Sequence, residues 1–423
     1  IDSAGRVYAL SYDEVGNVAE AIDPVGNTYR FKHDAMGNVV ELSDDMGVVG
    51  TWAYDGAGRV VSEGDALGNA IQYVWDAMGN RTAVTDPLGH VATYRYDEFG
   101  ALVGVTDPVG NEWRYAYDLA GNLVSTTDPA GNTRTAEYDA VGNLVRLVDG
   151  RGVEATYEYD ALGQVTAVNL PEGVREEWTY DASGNVVSHT DGLGFITTCM
   201  WDADRNLIEV ADETGRVESY EYRAGGDQVA ATDALGRTTE TEYDPWGAVV
   251  REVQPGGATT QYERDALGRV TRTIDALGNA TRFAYDARGR ATQVEREADG
   301  AVTAMEWDAA GALLSVTDAL GAEKRWAYDA AGNMVSAVDE EGSATSYAYD
   351  ALGNVVQSVD PLGNVTSLEW DALGNLAAST SPEGSRDEWL YDGEGNLVGH
   401  TDPLGHTEAW EWGAAGSLDA HVD

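Results

Sequence analysis

The sequence predicts an all-β fold, a long antiparallel meander of 21-residue repeats whose roughly 40 strands coil into a hollow spiral shell or tube. Three observations lead there. Aspartates and glycines recur at fixed spacing along the whole chain, aromatic residues alternate with polar ones between them, and no segment carries a helical period.

The spacing comes first. Asp13, Asp34, Asp55, Asp76, Asp97, Asp118, Asp139, Asp160, Asp181 and Asp202 stand 21 residues apart, and Asp2, Asp23, Asp44, Asp65, Asp86, Asp107, Asp128 and Asp149 form a second series between them. Each unit therefore splits into two similar halves, with steps of 11 and 10 residues. One extra residue falls between Asp286 and Glu297. A period near 20 with so little drift marks a repeat architecture in which no unit folds alone.

Each half carries a turn signature, as in Asp13-Glu14-Val15-Gly16-Asn17 and Asp23-Pro24-Val25-Gly26-Asn27. Asp at the first position hydrogen-bonds the backbone ahead of it, Pro at the second presets φ, and Gly at the fourth accepts the left-handed conformation of a bulged hairpin. Every second-half turn from Gly5 to Gly405 keeps the glycine, and among first-half turns only Arg205 departs.

The residues leading into the first-half turn alternate, as in Thr93-Tyr94-Arg95-Tyr96-Asp97 and Arg114-Tyr115-Ala116-Tyr117-Asp118. Aromatics sit one and three places before Asp, and a period of two is a strand with one apolar face. The residue between them is often Glu (Glu137, Glu158, Glu221, Glu242, Glu263, Glu306, Glu369, Glu411), so the opposite face is expected to be wet. After the turn comes an aliphatic run such as Asn143-Leu144-Val145-Arg146-Leu147-Val148-Asp149. Both halves are strands, joined by hairpins at both ends. Open sheets rarely pass about 10 strands without curling or splitting, so the ribbon is expected to coil and to hide its aromatic face.

The signature Tyr117-Asp118-Leu119-Ala120-Gly121-Asn122-Leu123 with Asp128-Pro129-Ala130-Gly131-Asn132, repeated at Tyr349-Asp350-Ala351-Leu352-Gly353-Asn354-Val355 with Asp360-Pro361-Leu362-Gly363-Asn364, resembles the RHS or YD repeat family. That family includes bacterial Rhs and Tc-toxin shell proteins and teneurin-like proteins. The resemblance covers the whole chain in register. It implies a β-ribbon wound into a hollow shell; in bacterial members such a shell typically encloses a toxic C-terminal polypeptide, and in animal relatives it mediates adhesion at the cell surface. Leu170-Pro171-Glu172-Gly173, Gln254-Pro255-Gly256-Gly257 and Ser381-Pro382-Glu383-Gly384 keep the turn but lose Asp, and His33 and Arg264 replace the aromatic. The family's closing self-cleaving segment and its variable toxin tail are not recognisable, and the Asp-Pro turns are ordinary repeat turns.

At 45.1 kDa the chain is large enough for a sizeable core, and no linker or charge block divides it. One repeat domain over residues 1–423 is expected, a piece of a longer protein that is secreted or displayed at the cell surface. No run of 18 apolar residues is present, so no membrane span is expected. The net charge of −47 rules against nucleic acid as a partner, because phosphate binding needs a cationic surface. Such acidity with only two lysines, Lys32 and Lys324, fits a salt-adapted source or a coding bias towards Arg and Ala. Cys199 occupies an aromatic slot and reads as a small buried hydrophobe.

Signals for chemistry are few. No phosphate-cradling loop, nucleophile elbow or Cys/His nucleophile pair is found, so no catalytic residue and no cofactor is assigned. The six histidines look scattered over different repeat phases, with His90 and His406 replacing the turn Asn, and no metal site is expected. Asp- and Asn-rich loops can ligate calcium, but the calcium β-roll pattern is absent and each Asp already has a turn to cap. The residues expected to matter are scaffold positions: Tyr96, Asp97 and Gly100, Tyr117, Asp118 and Gly121, and Tyr349, Asp350 and Gly353. Trp246, in the turn Asp244-Pro245-Trp246-Gly247, is expected at an exposed tip as a contact to a neighbouring coil or partner. The function this implies is a non-enzymatic shell wall around a polypeptide cargo of a secreted bacterial effector. The alternative is an extracellular or cell-surface fibre or tube without cargo, with self-assembly through its repeats.

Overall fold

The computed structural model describes residues 7–413 and 418–422, so the expected turn at Asp2 and Gly5 and the terminal Asp423 lie outside the described residues. The rest is β-structure throughout, 40 strands with a single short 3-10 turn at Pro171–Gly173. Strands pair antiparallel with their neighbours in sequence, Val91–Tyr96 with Leu102–Thr106, that strand with Glu112–Tyr117, and so on along the meander. First-half turns therefore lie along one edge of the ribbon and second-half turns along the other.

The two hairpin types differ in register. At the second-half turn the pairing is regular, Gly104 opposite Arg114 and Thr106 opposite Glu112. After the first-half turn the register steps: Leu102 faces Tyr96 and Gly104 faces Arg95, which leaves Val103 as a bulge. The same step recurs after Tyr117, Tyr138, Tyr159 and Tyr180. Bulges add twist to a strand pair, so one in every repeat supplies the steady curl a long ribbon needs. The inserted residue is absorbed locally: the strand Ala291–Arg296 has six residues and closes on Ala301.

The aromatic face is only half-buried. In Val91–Tyr96 the exposure alternates, with Tyr94 and Tyr96 on the covered face and Arg95 outside. Glu137, Glu158, Glu221, Glu242, Glu263, Glu306, Glu369 and Glu411 are all exposed, as the alternation predicts. The sizeable core expected from the mass does not form. Among the described residues the buried apolar side chains are only Ala167, Ala280 and Ala378, and no large side chain is fully buried. The accessible surface of 23968 Å² exceeds the roughly 16,000 Å² of a compact chain of this mass. A single sheet with one covered face leaves most of its side chains half-wet, and this is the physical reason.

The chain divides into two compact units. The first comprises Ile1–Ala92, Thr239–Ala348 and Val359–Gly363, and the second Thr93–Thr238, Tyr349–Ser358 and Asn364–Asp423. Within each, turns far apart in sequence meet. In the first unit the Tyr29 hydroxyl donates to the Ala287 carbonyl at 3.4 Å, and Arg288 reaches Asp44. In the second, the backbone N–H of Gly150 donates to Glu394 at 2.9 Å. These partners lie 244 to 258 residues apart, close to twelve repeats. In each unit a second-half turn from the early part of the chain meets a first-half turn from the later part.

Candidate functional site

The repeat turn is built by its aspartate. In the turn at Asp118, one carboxylate oxygen accepts the backbone N–H groups of Ala120 at 2.8 Å and Asn122 at 2.9 Å, and the other accepts the Asn122 side-chain amide at 2.9 Å. The backbone closes the same loop, Gly121 N–H to Asp118 carbonyl at 3.1 Å and Asp118 N–H to Asn122 carbonyl at 3.0 Å. Gly121 stands at φ +87°, where a side chain is strained, which accounts for the glycine. The Asn122 amide and backbone donors hold the Asp118 carboxyl below its usual range against a smaller opposing effect of burial.

The other expected positions take the same places. Tyr96 ends the strand Val91–Tyr96, Asp97 accepts the N–H groups of Phe99 and Ala101 at 2.9 Å each, and Gly100 has φ +85°. Tyr349 ends Ala344–Tyr349, Asp350 accepts from Leu352 and Asn354 at 2.9 Å each, and Gly353 has φ +85°. Trp246 is exposed at its tip, held by its N–H to Asp244 at 2.9 Å. It lines an open cavity of about 800 Å³ with Pro24, Tyr262, Arg264 and Leu267, all within the first unit.

Some departures keep the turn by other means. Arg205 adopts φ +66° where other first-half turns have glycine, and its N–H still bonds the Asp202 carbonyl at 3.2 Å. At Leu170 the turn changes type, with Glu172 at φ +62°. Ser381 replaces the Asp with its hydroxyl, which accepts the Ser385 N–H at 3.2 Å.

A second device was missed by sequence reasoning. In many repeats the aromatic before the first-half Asp does more than fill the sheet face: the Tyr117 hydroxyl donates to the Leu102 carbonyl at 3.0 Å, fifteen residues back, at the bulge of the preceding repeat. Tyr54, Tyr159 and Tyr285 do the same through their hydroxyls, and Trp75, Trp201 and Trp370 through the indole N–H. Arg264, which breaks the aromatic pattern, donates from its guanidinium to the carbonyl of Val249 at 3.1 Å. Every residue in the slot, His33 and Arg264 included, carries a side-chain donor. The signal was in the sequence, because the slot holds Tyr and Trp but never Phe, while Phe31 and Phe283 occupy the slot three before Asp.

The histidines also need correction. His189, His400 and His421 share one repeat phase. They stack on Trp178, Trp389 and Trp410 with ring centroids 4.8, 5.5 and 5.1 Å apart, and each ring faces a carboxylate of Glu176, Asp387 or Glu408. His90 and His406 share a second phase, where Nδ1 meets the turn carboxylates of Asp86 and Asp402 at 2.8 Å and takes over the bond of the turn Asn. Cys199 is half-buried in its aromatic slot, and burial pushes its thiol pKa up.

The most deeply buried ion pair among the described residues joins two turn rows in the first unit. Arg288, at the third position of its turn, donates to Asp44 at 2.6 and 3.1 Å and to the Val48 carbonyl at 3.0 Å. The Asp44 side chain is 1 % exposed, and the Arg288 guanidinium holds its carboxyl below the usual range. In the second unit Glu394, again at the third turn position, takes Arg134 at 2.5 Å and the Gly150 N–H, while Arg151 donates to the Gly413 carbonyl at 3.4 Å. On the wet face Arg175 bridges Glu158 and Glu177, and Arg386 bridges Glu369 and Glu388. Among the described residues no group of three or more His, Cys, Asp and Glu is placed to hold a metal ion, and no helix is long and apolar enough to cross a membrane.

The family described as Teneurin YD-shell matches residues 146–361, half of the chain. The chain belongs to the YD-shell family. The RHS Repeat family matches residues 12–49, 54–91, 75–112, 96–133 and 349–386 as well. No curated protein matches the sequence. Among solved structures, TcdB2-TccC3-TEV superposes with a TM-score of 0.72 at 16% identity, covering 98% of this chain and 27% of that one. The Photorhabdus luminescens Tc holotoxin pore gives 0.71 at 15% identity, with 99% and 28% covered. TcdB2-TccC3 without its hypervariable C-terminal region gives 0.73 at 16% identity, with 99% and 26% covered. At these identities the likeness is one of fold, and the YD-shell chain spans about a quarter of the length of these structures. The long β-meander read from the repeat, and its kinship to the RHS and YD repeats, are thus the observed fold and family, and the chain is a structural repeat segment.

Proposed function

We propose that this chain is a length of non-enzymatic wall in a secreted bacterial effector, enclosing a polypeptide cargo that lies elsewhere in the longer protein. The observation that carries the reading is the seal between turn rows. Within each unit, turns about twelve repeats apart are joined by bonds such as Arg288 to Asp44 and Glu394 to Gly150, so the wall has no open seam there. Confinement would follow from a closed β-surface that excludes proteases and gives the guest little room to fold. Membership of the YD-shell family supports this, as does the toxin setting of structures such as the Tc holotoxin pore. Tyr96, Asp97, Gly100, Tyr117, Asp118, Gly121, Tyr349, Asp350 and Gly353 act here as scaffold, with no catalytic role.

A second reading, a surface fibre or tube without cargo, draws on the regularity of the repeat, since a single extra residue near Glu297 gives nearly constant curvature. Cryo-electron microscopy of the full-length protein from its native source separates the two. Density for a guest inside a closed shell is expected; an open periodic tube with an empty lumen would refute the cargo reading and leave the fibre.

A further inference from the structure

In a chain of near-identical repeats, a turn of the early row could face any of several turns of the later row, and a slip by one repeat would leave the backbone contact much the same. One offset is nevertheless used in both units. In the first, the turn begun by Asp44 meets the turn begun by Asp286; in the second, the turn begun by Asp149 meets the turn begun by Asp392. Both pairs lie eleven and a half repeats apart, the second spanning the extra residue near Glu297.

The sequence departs from its own pattern at those two early turns. Seven second-half turns run from Asp23 to Asp149. In five of them the fifth residue brings a side-chain nitrogen to the second carboxylate oxygen of the Asp: Asn27, Asn69, His90, Asn111 and Asn132, at 2.7 to 2.9 Å. In the other two the fifth residue is Val48 or Val153, which leaves that oxygen open. Asp44 gives it to Arg288 at 2.6 Å, and Asp149 gives it to Arg151, whose guanidinium also stands 3.8 Å from Asp392 across the seam.

A slip would satisfy neither contact. Moved by one repeat, Arg288 would meet Asp23 or Asp65, whose second oxygens already hold Asn27 and Asn69, and Asp44 would keep a nearly dry carboxylate without its counter-charge. Glu394 accepts the Gly150 N–H at 2.9 Å, and one repeat either way that place is Pro129 or Pro171, which have no N–H to give. Its other partner, Arg134, would be replaced by Trp113 or Ala155. Close approach adds a steric demand. Most first-half turns have Ala at the second position, but a Cβ at Gly393 would lie 2.5 Å from the Asn132 side chain.

We infer that Arg288 with Asp44, and Glu394 with Arg134 and Gly150, are register keys: they select one pairing of turn rows among several that the repeat alone makes nearly equivalent. Buried charge suits this task, because a correct pairing gains little over an apolar contact while a wrong one strands an ion. Each key thereby fixes how many repeats separate mated turns within its unit. The inference stands apart from the cargo reading, since it concerns which turns meet and holds whatever either face encloses.

A photo-crosslinking amino acid in place of Tyr29 reads the register in the full-length protein, because the Tyr29 hydroxyl reaches the Ala287 carbonyl at 3.4 Å. The parent should crosslink to the turn at Ala287, located by mass spectrometry. In a first variant the keys are erased by Val48→Asn, Arg288→Ala and Glu394→Ala, and crosslinks should spread to the neighbouring turns at Ala266 and Ala309. In a second the keys are moved by one repeat, through Val48→Asn and Asn69→Val in the first unit and Arg134→Ala, Gly150→Pro, Ala155→Arg and Pro171→Gly in the second. Arg288 should then pair with Asp65, and the crosslink should shift to Ala266. Circular dichroism and melting establish which forms keep the sheet, and the erased form decides alone if the moved one does not fold. A parent that crosslinks elsewhere, or crosslinks confined to the Ala287 turn in the erased variant or in a folded moved variant, would each overturn the proposal.

Discussion

The Tyr117 hydroxyl donates to the Leu102 carbonyl across two strands at 3.0 Å, and this bond ties the bulge of one repeat to the turn of the next. A bulge interrupts the regular ladder, and the tyrosine gives its carbonyl a partner. Tyr117→Phe keeps the ring and removes only the donor. It should cost about 1 kcal/mol and raise amide hydrogen exchange in Leu102–Thr106 and Glu112–Tyr117 before the rest of the sheet. Tyr115→Phe, in the slot where Phe31 and Phe283 occur naturally, should be nearly neutral. Equal effects of the two substitutions would show that the ring alone matters.

Arg288 and Asp44 make the opposite kind of contact, charged, nearly dry and 244 residues apart in sequence. Removing the guanidinium leaves a carboxylate that is 1 % exposed without its counter-charge. Arg288→Ala should therefore destabilise the first unit by about 3 kcal/mol or more. Asp44→Asn combined with Arg288→Met should recover part of that loss. Urea denaturation followed by tryptophan fluorescence gives both numbers; a single substitution within about 0.5 kcal/mol of the parent would show that this seal is not structural.

Arg205 holds φ +66° at a position its sister turns give to glycine. A side chain in the left-handed region costs on the order of 1 kcal/mol, so Arg205→Gly should raise stability by about that amount, less what glycine adds to the entropy of the unfolded chain. A lower melting temperature would mean that the Arg205 side chain makes a compensating contact.

Acid should weaken the fold. Asp118 is held below its usual range by the Asn122 amide and backbone donors, Asp44 by Arg288, and Glu158 down to about 2 by Arg175 and Asn169. A carboxylate whose pKa is depressed by folding contributes stability that is present above its unfolded value, near 4, and lost as the pH falls through the folded one. In about 1 M NaCl, where self-repulsion is screened, the melting temperature should hold from pH 7 to about 4.5 and drop between there and 2. At pH 7 it should rise with salt, because the net charge of −47 opposes compaction. A flat response to both pH and salt would remove electrostatics from the account.

What the sequence disclosed follows from what repeats. Strand direction, turn type and the wet face of Glu158 and Glu369 were legible because each is set within one unit by residues a few positions apart. The donor role before Asp was legible too, in the Tyr, Trp and Arg264 set, but it appears only when the absence of Phe is weighed. The pairing of Asp44 with Arg288 was not legible. It joins positions about twelve repeats apart, and although Arg288 is the one arginine at the third position of a first-half turn, nothing within its own unit names Asp44 as its partner. The thin burial was missed for a related reason: mass predicts a core only when a chain folds into packed layers, and here Tyr94 and Tyr96 have one sheet behind them and no second layer in front.

The measurement that tests confinement most directly is protease protection in the longer protein, comparing the parent with its Arg288→Ala form. A segment outside residues 1–423 should resist a general protease while the wall is intact and be digested once the seam at Asp44 is weakened. Digestion of every segment outside the repeats at the same rate in both forms would contradict the account, because a wall that shields nothing is not a container.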